Sequence, residues 1–286
     1  MNYQPLIIIG APRSGTNMLR DILCEQPRVG TWPCDEINYI WRHGNVSQQT
    51  DEFSARMATP NVKKFIRTQF DNFAKKEKLD VLVEKTCANS LRLPFVEKIV
   101  PEAKYIFIVR DGVDAVGSAM LRWTAELDIP YILKKVRYVP VSDLPYYGFR
   151  YLSSRLYKLV SRQKRLSFWG PQFKGLDVAL RDYSLEEVCA LQWQRCVDLS
   201  EKGFSKIPED KIIRVRYEDF VTNPAKELTQ ILVKLNMPFE VADIEASIRA
   251  VTASSLGKGR KALNQKQLES ISSLVANTLQ RYDYEC

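Results

Sequence analysis

The chain has 286 residues, of which 45% are hydrophobic and 27% are charged. This length and composition exclude a peptide hormone, a small disulfide scaffold and a coiled-coil repeat, and they indicate one large or two small globular domains. Lysine and arginine number 42 against 34 acidic residues, a formal net charge of +8. This excess favours an anionic partner: a nucleic acid, a membrane surface or a phosphate-rich small molecule. A basic surface without such a partner is the alternative.

Apolar, β-branched segments alternate with helical patterns along the chain. Leu6 to Ile9 is predicted as a buried strand closed by Gly10, and a helix starting at Thr16 is stopped by Pro27. The same alternation predicts strands at 81–83, 105–109 and 211–216, and helices at 90–100, 114–123 and 224–235. Strands that alternate with helices predict an α/β fold with a central parallel sheet flanked by helices.

Residues 124–185 interrupt this alternation and are rich in tyrosine, proline, lysine and arginine. We interpret them as a largely helical insertion, which is either a lid or acceptor-binding segment or a plain structural insertion. A helix is predicted again at 186–203. Because no linker separates two units convincingly, residues 1–286 are expected to form a single domain.

The cysteines and the N-terminal sequence favour a reducing compartment. Six scattered cysteines form no C-x-x-C pair, which argues against a zinc ribbon and favours free thiols. The N-terminal sequence has no basic leader with a long apolar stretch, and no segment approaches the ~20 apolar residues of a membrane span. We expect a cytoplasmic protein. His43 is the single histidine, which excludes a multi-histidine site, and we expect no metal.

The first predicted strand ends in a glycine-rich loop, GAPRSGTN at 10–17. Two glycines five positions apart, between a buried strand and a helix, aim backbone N–H groups at an anion. The nucleotide-triphosphatase pattern G-x-x-x-x-G-K-[ST] is incomplete, because Thr16 follows Gly15 directly and the cation has moved forward to Arg13. The loop therefore predicts a phosphate-type ligand and argues against hydrolysis of ATP or GTP.

Two further segments carry cations where an anion could bind. Arg110 is the first charge after a buried strand, where ligands bind in open α/β sheets, and Ser118 and Arg122 share one face of the following helix. Guanidinium groups and a hydroxyl suit a phosphate, although Arg110 could instead pair with Asp111 or another carboxylate. A third basic cluster lies in SSLGKGRKAL at 254–263, which either wraps an anion or is a solvated loop.

Four segments together resemble the sulfotransferases that use 3′-phosphoadenosine-5′-phosphosulfate (PAPS). PRSGTN at 12–17 resembles the 5′-phosphosulfate loop of that family, and IVRDGVDAVGSAM at 108–120 resembles its 3′-phosphate motif. RVRYEDFVTNP at 214–224 and GKGRKAL at 257–263 resemble its tyrosine-glutamate signature and its C-terminal basic loop. The resemblance implies a three-layer, P-loop-like α/β fold and is closest in style to carbohydrate, tyrosylprotein and bacterial sulfotransferases.

The resemblance also implies PAPS as the sulfuryl donor and assigns residues to it. Those expected around the 5′-phosphosulfate are Arg13, Ser14, Gly15, Thr16 and Asn17. Those expected around the 3′-phosphate are Arg110, Ser118, Arg122, Tyr217, Arg260 and Lys261. Ser255, Lys258 and Gly259 are also expected to bind the cofactor.

The expected catalysis is positioning plus stabilisation of the leaving oxygen. Arg13 and Lys85 are the cations predicted to do this, with an ion pair between Lys85 and Glu84 or Asp35 as the alternative.

The general base is expected in WPCDEINYIW, at 32–41, where the resemblance places a glutamate soon after the first helix. Glu36 is the candidate, and efficient proton abstraction would require a raised pKa there. Many small-molecule sulfotransferases use a histidine as the base, so His43 is an alternative, and so is the absence of a base. Asp35 or Glu36 could also form a salt bridge to Arg42.

The function that follows is transfer of the sulfuryl group to a hydroxyl acceptor. Tyrosines and arginines of the insertion suit a carbohydrate or glycolipid, and other lipids or tyrosine peptides are alternatives. The same aromatic residues could equally form a helical core. Contact with a membrane surface is compatible with the charge. A P-loop kinase of a small molecule and a non-enzymatic nucleic-acid binder are the competing functions, and the clustering of cations beside glycine loops favours a compact anionic nucleotide over nucleic acid.

Overall fold

The computed structural model describes residues 2–123, 137–149 and 169–285. Its centre is a five-stranded sheet in the order β2-β3-β1-β4-β5, in which every neighbouring pair is parallel. The strands are β1 (Gln4–Ile9), β2 (Val29–Gly30), β3 (Val81–Lys85), β4 (Lys104–Val109) and β5 (Ile212–Arg216). The predicted central parallel sheet is confirmed.

Helices cover both faces of this sheet. In chain order they are α1 (Thr16–Cys24), α2 (Asn38–Trp41), α3 (Pro60–Glu77), α4 (Leu93–Ile99), α5 (Gly112–Trp123), α6 (Leu176–Asp182), α7 (Leu185–Phe204), α8 (Tyr217–Thr222), α9 (Pro224–Leu235), α10 (Val241–Ile248), α11 (Lys258–Lys261) and α12 (Gln265–Arg281). Side chains alternate along a strand, so Ile7 and Ile9 of β1 enter one buried cluster while Leu6 and Ile8 enter the other. The result is the predicted three-layer α/β fold.

The register of the strands brings their carboxyl ends to one edge of the sheet. Ile8 of β1 pairs with Lys85, and Val109 of β4 pairs with Arg216. The segments that leave this edge are the loop after β1, the turn after β3, the start of α5 and the start of α8. Ligands bind at such an edge in open α/β sheets, and the candidate site lies there.

The helix predicted from residue 90 begins later than expected. Residues Cys87–Leu91 form a 3₁₀ turn, and Arg92, with φ −140° and ψ 31°, separates it from α4. Pro94 lies in the first turn of α4, where its missing N–H costs no hydrogen bond. The apolar spacing predicts this helix, but the proline marks its start and not its interior.

The predicted insertion is described only in part. Within it the structure has a 3₁₀ turn at Val141–Asp143, helical residues at 144–149, and α6. The rest, 124–136 and 150–168, lies outside the described residues, together with the predicted acceptor-side aromatics Tyr131, Tyr151, Tyr157 and Phe168. The helical character of the whole insertion and the single-domain organisation therefore stay predictions.

The thiols of the described chain are free, at Cys24, Cys34, Cys87, Cys189 and Cys196. In the same part of the chain, no helix combines the length and the apolar character that crossing a bilayer requires.

Candidate functional site

The loop between β1 and α1 bends sharply at two positions with positive φ. Arg13 has φ 69°, and Gly15, the N-cap of α1, has φ 86°. A Cβ on Gly15 would lie 2.4 Å from Cδ2 of Tyr217, so only glycine lets this ring approach the loop. No side chain caps α1, and its first N–H groups have no acceptor within the helix. The loop therefore presents donors and the positive end of a helix dipole.

Next to this loop, two buried polar atoms of the described residues have no hydrogen-bond partner. One is Oγ of Ser14, whose side chain is fully buried, and the other is Nε of Arg110. Leaving a buried donor unsatisfied costs about 1–3 kcal/mol, so such atoms call for an explanation. An anion with several oxygens, such as the phosphosulfate and phosphate of PAPS, fits both groups.

Three arginines converge beside the loop. Nε of Arg13 donates to Oγ of Ser118 at 2.9 Å. Burial lowers the pKa of Arg13, and the charges of Arg122 and Arg110 lower it further. Mutual repulsion of this kind is relieved by a bound anion. Arg122 is exposed in the last turn of α5, and Asn17 is exposed in the first turn of α1.

Arg110 connects three segments of the site. Its Nη1 donates to the backbone oxygen of Arg13 at 3.0 Å, and its Nη2 donates to the backbone oxygen of Ser255 at 3.0 Å and to Asp114 at 3.2 Å. The guanidinium lies over the ring of Tyr217, 4.6 Å from its centroid, and the Tyr217 hydroxyl is 2.5 Å from Oγ of Ser255. The carboxylate partner of Arg110 is thus Asp114, one helical turn on, and not the neighbouring Asp111.

The C-terminal basic loop packs directly against α5. Asp114 accepts the N–H groups of Gly257 at 2.7 Å and Arg260 at 3.0 Å. A Cβ on Gly259 would lie 2.1 Å from the Asp114 carbonyl oxygen, and one on Gly117 would lie 2.3 Å from that of Gly259. Gly259 therefore has a packing role: it allows the basic loop to approach the 3′-phosphate motif.

The cations of this loop differ in their surroundings. Nη2 of Arg260 lies 3.4 Å from Oδ2 of Asp111 and donates to the backbone oxygen of Glu285 at 2.8 Å. Lys258 and Lys261 are exposed. Arg260 is thus held at the site by partners within the protein, while the two lysines extend into solvent.

Lys85, at the end of β3, is buried between two carboxylates. Its Nζ lies 2.8 Å from Oδ1 of Asp35 and 3.2 Å from Oε1 of Glu36. Burial works against its charge, but the carboxylates outweigh it and raise the pKa of Lys85 above its ordinary value. Asp35 also accepts from Arg20 at 2.8 Å. The alternative of an ion pair between Lys85 and Asp35 is therefore present, together with the contact to Glu36.

Glu36 is joined to the phosphate loop through Cys87. The backbone N–H of Cys87 donates to Oε1 of Glu36 at 3.1 Å, and Sγ of Cys87 lies 3.8 Å from Oγ1 of Thr16. Nζ of Lys85 and the N–H of Cys87 therefore share one oxygen of Glu36. Glu36 thus lies close to the loop and to a cation.

His43 has partners of its own. Its Nδ1 is 2.9 Å from Oδ2 of Asp143, and its ring lies against Phe65 with centroids 3.7 Å apart. Its described contacts do not include Glu36 or Lys85. Arg42 pairs with Asp51 at 2.7 Å, not with the acidic pair that follows Cys34.

The site residues that the sequence patterns do not identify are mostly carboxylates. Asp114 organises Arg110 and the basic loop, and its i,i+4 spacing from Arg110 was a usable signal. Glu218 accepts from the N–H of Asp111 at 2.9 Å and from the Tyr284 hydroxyl at 2.8 Å. No sequence pattern connects Tyr284 with this site, because the contact depends on where the chain returns after α12.

A model of the family described as "Sulfotransferase family" matches residues 5–158 and 155–241. A search of curated protein sequences finds no match. Among the described residues, no group of three histidine, cysteine or acidic side chains is arranged to hold a metal ion.

Solved sulfotransferase structures resemble the chain over nearly its whole length. The sulfotransferase domain from the curacin biosynthetic pathway has a TM-score of 0.56 at 16% identity, covering 99% of this chain and 98% of that one. Sulfotransferase STF9 from Mycobacterium avium has a TM-score of 0.52 at 14% identity, and the match covers 100% of this chain and 78% of that one. Mouse sulfotransferase SULT7A1, complexed with PAP, has a TM-score of 0.50 at 12% identity, and the match covers 98% of this chain and 86% of that one.

These likenesses show the fold, and the family match shows the class of protein. The family match spans three of the four motifs identified in the sequence, and it favours a sulfotransferase over a kinase or a nucleic-acid binder. The chain therefore belongs to the sulfotransferase family.

Proposed function

We propose that the chain transfers the sulfuryl group of PAPS to the hydroxyl of a saccharide or glycolipid. The observation that carries the donor assignment is the meeting of Arg13 and Arg110 beside a phosphate-type loop, where Arg13 donates to Ser118 and Arg110 donates to the backbone oxygen of Arg13. The unpartnered hydroxyl of Ser14 and the unpartnered Nε of Arg110 supply further donors. The PAP bound in the mouse sulfotransferase of similar fold supports a nucleotide with two phosphate groups.

In this assignment the two ends of the nucleotide bind to different segments. The loop at 12–17 holds the 5′-phosphosulfate with its N–H groups, Ser14 and Arg13. Ser118 and Arg110, with the basic loop at 257–261, hold the 3′-phosphate. The contact between Arg13 and Ser118 supports this, because it brings the two segments to hydrogen-bond distance.

When bound, PAPS supplies a sulfuryl group attached to a phosphate oxygen that can leave. The acceptor oxygen bonds to sulfur as the bond between sulfur and that phosphate oxygen breaks. Glu36 accepts the hydroxyl proton, and Lys85 and Arg13 stabilise the negative charge that develops on the leaving oxygen. Lys85 suits this role because its pKa is raised, so it stays an ammonium while buried.

The assignment of Glu36 as the base rests on its position. Its carboxylate is held by Lys85 at 3.2 Å and by the N–H of Cys87 at 3.1 Å, and Cys87 contacts Thr16 of the loop. His43 is instead bonded to Asp143. Asp35 is held between Lys85 and Arg20, which suits a residue that orients the lysine.

The acceptor class is supported by aromatic rings on the segment that follows Glu36 and on the insertion. Tyr39, three residues on, packs edge to face against Tyr147 of the insertion with centroids 4.8 Å apart, and Tyr146 packs against Tyr147 at 5.5 Å. Aromatic faces and edges suit the apolar faces of sugar rings. The cytoplasmic location and contact with a membrane surface stay predictions.

Turnover of PAPS against a panel of saccharide glycosides, glycolipids and tyrosine peptides tests the reaction and the acceptor class together. A thermal shift with PAP tests the donor site alone; a shift of zero at millimolar PAP would refute the donor assignment. Turnover with peptides and none with saccharides would refute the acceptor class.

The variant Glu36→Gln tests the base. Turnover should fall about 10²-fold or more, the usual size of general-base catalysis, while the thermal shift with PAP is retained. Asp21→Asn is the matched control, since Asp21 is an exposed carboxylate that pairs with Arg20 on the outer side of α1. Loss of PAP binding in Glu36→Gln would contradict the assignment.

A further inference from the structure

A fully buried arginine, Arg92, lies where the segment carrying Glu36 meets the turn after β3. Its side chain is 0% exposed. Nε donates to Oδ1 of Asn89 at 2.8 Å, and Nη2 donates to Oδ1 of Asn38 at 2.5 Å. Arg92 therefore joins two segments that are distant in sequence.

On one side, Arg92 supports the turn that carries the N–H of Cys87. Asn89 lies in this 3₁₀ turn, and its Nδ2 donates to Oε2 of Glu84 at 2.8 Å. Thr86 donates to the other oxygen of Glu84 at 2.5 Å. The turn is thus fixed on the end of β3, and with it the N–H that reaches Glu36.

On the other side, Arg92 supports the segment that carries Glu36 itself. Asn38 is the first residue of α2 and lies two positions after Glu36. Its Nδ2 also lies 3.4 Å from Oδ1 of Asp51. One guanidinium thus bonds both to Asn38, two positions after Glu36, and to Asn89, two positions after Cys87.

Charge pairing gives a poor account of this arginine. Its nearest carboxylate oxygen, on Asp51, is 3.5 Å away, and burial lowers the pKa of Arg92 to about 10 although Asp51 opposes this. A buried ion pair of this kind is often no more stabilising than apolar side chains of similar volume. The two short hydrogen bonds to amide oxygens, which fix geometry, are its more distinctive contacts.

We propose that Arg92 is a positioning residue that holds Glu36 in the geometry needed for proton abstraction. It acts through Asn38 on the backbone beside Glu36 and through Asn89 on the turn that bears Cys87. The proposal rests on the proposed role of Glu36, and it predicts that loss of Arg92 lowers the catalytic rate and leaves the donor site intact.

The first test compares Arg92→Lys with Arg42→Lys. Arg42 is a matched control because it is also buried and pairs with Asp51, at 2.7 Å, while its other bonds go to backbone oxygens such as that of Thr50 at 3.0 Å. Arg92→Lys should lower kcat at least ten-fold with KM for PAPS and the affinity for PAP within two-fold. Arg42→Lys should lower kcat by less than three-fold. Equal losses in both variants would overturn the proposal.

A double-mutant cycle separates positioning of Glu36 from a general structural role. If Arg92 acts through Glu36, Arg92→Lys should cost nothing further in the Glu36→Gln background, measured as PAP released from PAPS in single turnovers. Additive losses would overturn the proposal. If Glu36→Gln alone is fully active, the proposed base is wrong, and this result is distinct from a failure of the positioning role.

Hydrogen–deuterium exchange of the full chain with PAP bound gives a readout that does not depend on the acceptor. Arg92→Lys and the milder Asn38→Ala, at the partly exposed end of the network, should speed exchange in the peptide 86–92 at least five-fold. Arg42→Lys should leave that peptide unchanged. Unchanged exchange in both test variants would overturn the proposal even if one of them folds poorly.

Discussion

Nε of Arg13 donates to Oγ of Ser118 at 2.9 Å across 105 residues of sequence. Arg13 lies in the loop after β1, and Ser118 lies in α5 after β4, the neighbouring strand in the sheet. Because parallel strands end at the same edge, two motifs that are remote in sequence come within hydrogen-bond distance of each other. The contact also holds the Arg13 side chain between the two proposed phosphate positions.

Arg13→Lys should separate positioning from charge. Lysine keeps the positive charge but lacks the forked donors that reach Ser118 and the ligand together. We expect kcat to fall about 10²-fold, the usual effect of losing one donor to a developing charge, with the affinity for PAP reduced less than ten-fold. Steady-state kinetics with PAPS and calorimetry with PAP measure the two effects.

Arg28→Lys is the control for this prediction. Arg28 also adopts a positive φ, of 57°, but it is exposed and pairs with Asp80 on the surface. Its substitution should leave kcat unchanged. A loss of equal size in both variants would mean that the contact with Ser118 does not explain the effect at Arg13.

Periodicity and strand-end logic predict this fold well, since buried parallel strands are continuous apolar runs that are readable in isolation. The same logic places Arg13, Lys85 and Arg110 at one sheet edge, because each follows a strand. This logic does not predict which side chains pair with each other. The pair of Asp114 and Arg110 follows from helical spacing. The hydrogen bond from Arg92 to Asn38 does not, because it depends on how α2 and the turn after β3 pack together.

Gly259→Ala should weaken both the fold and the donor site. The new Cβ would lie 2.1 Å from the backbone oxygen of Asp114, so α11 must move away from α5. We expect the free energy of unfolding to fall by about 1–3 kcal/mol, as for other overpacked sites, and the affinity for PAP to fall at least five-fold. Urea denaturation and calorimetry measure these changes.

Gly148→Ala is the matched substitution in open space, since a Cβ there meets no atom within 4 Å. It should leave the affinity for PAP unchanged and should not lower the free energy of unfolding, because alanine favours a helix over glycine. Full PAP affinity in Gly259→Ala would show that the basic loop does not contribute to the donor site.

Asp114→Asn should disconnect the basic loop from Arg110. The carboxylate is buried and accepts from the N–H groups of Gly257 and Arg260 and from Arg110. An amide offers one acceptor oxygen, so at least one donor is left unpaired. We expect the free energy of unfolding to fall by about 3 kcal/mol.

The same variant should bind PAP at least ten-fold more weakly, because Arg110 loses the group that orients it. Asp177→Asn, at an exposed acid in the first turn of α6, is the control and should leave both quantities unchanged. Tight PAP binding by Asp114→Asn would show that Arg110 is positioned by Tyr217 and the backbone alone.

Glu84 should make the free energy of unfolding fall as the pH rises, whereas a salt-bridged carboxylate makes it rise. Burial raises the pKa of Glu84 from 4.5 to about 7, against the hydrogen bond from Thr86, which lowers it. Between these two values the native protein holds a proton that the unfolded chain has released. The free energy of unfolding should therefore fall as the pH rises from about 4.5 through about 7, by about 3 kcal/mol from this group.

The variant Glu84→Gln removes this titration while keeping a polar side chain between Thr86 and Asn89. We expect its free energy of unfolding to vary less with pH than that of the unsubstituted protein, with the difference developing between pH 5 and pH 8. Urea denaturation at unit steps of pH measures it, with Glu25→Gln, at an exposed glutamate, as the control. Parallel pH profiles for the Glu84 variant and the unsubstituted protein would show that this carboxyl is already ionised in the folded state at pH 5. The buried side chains around Glu84 would then include one more negative charge than the raised pKa implies.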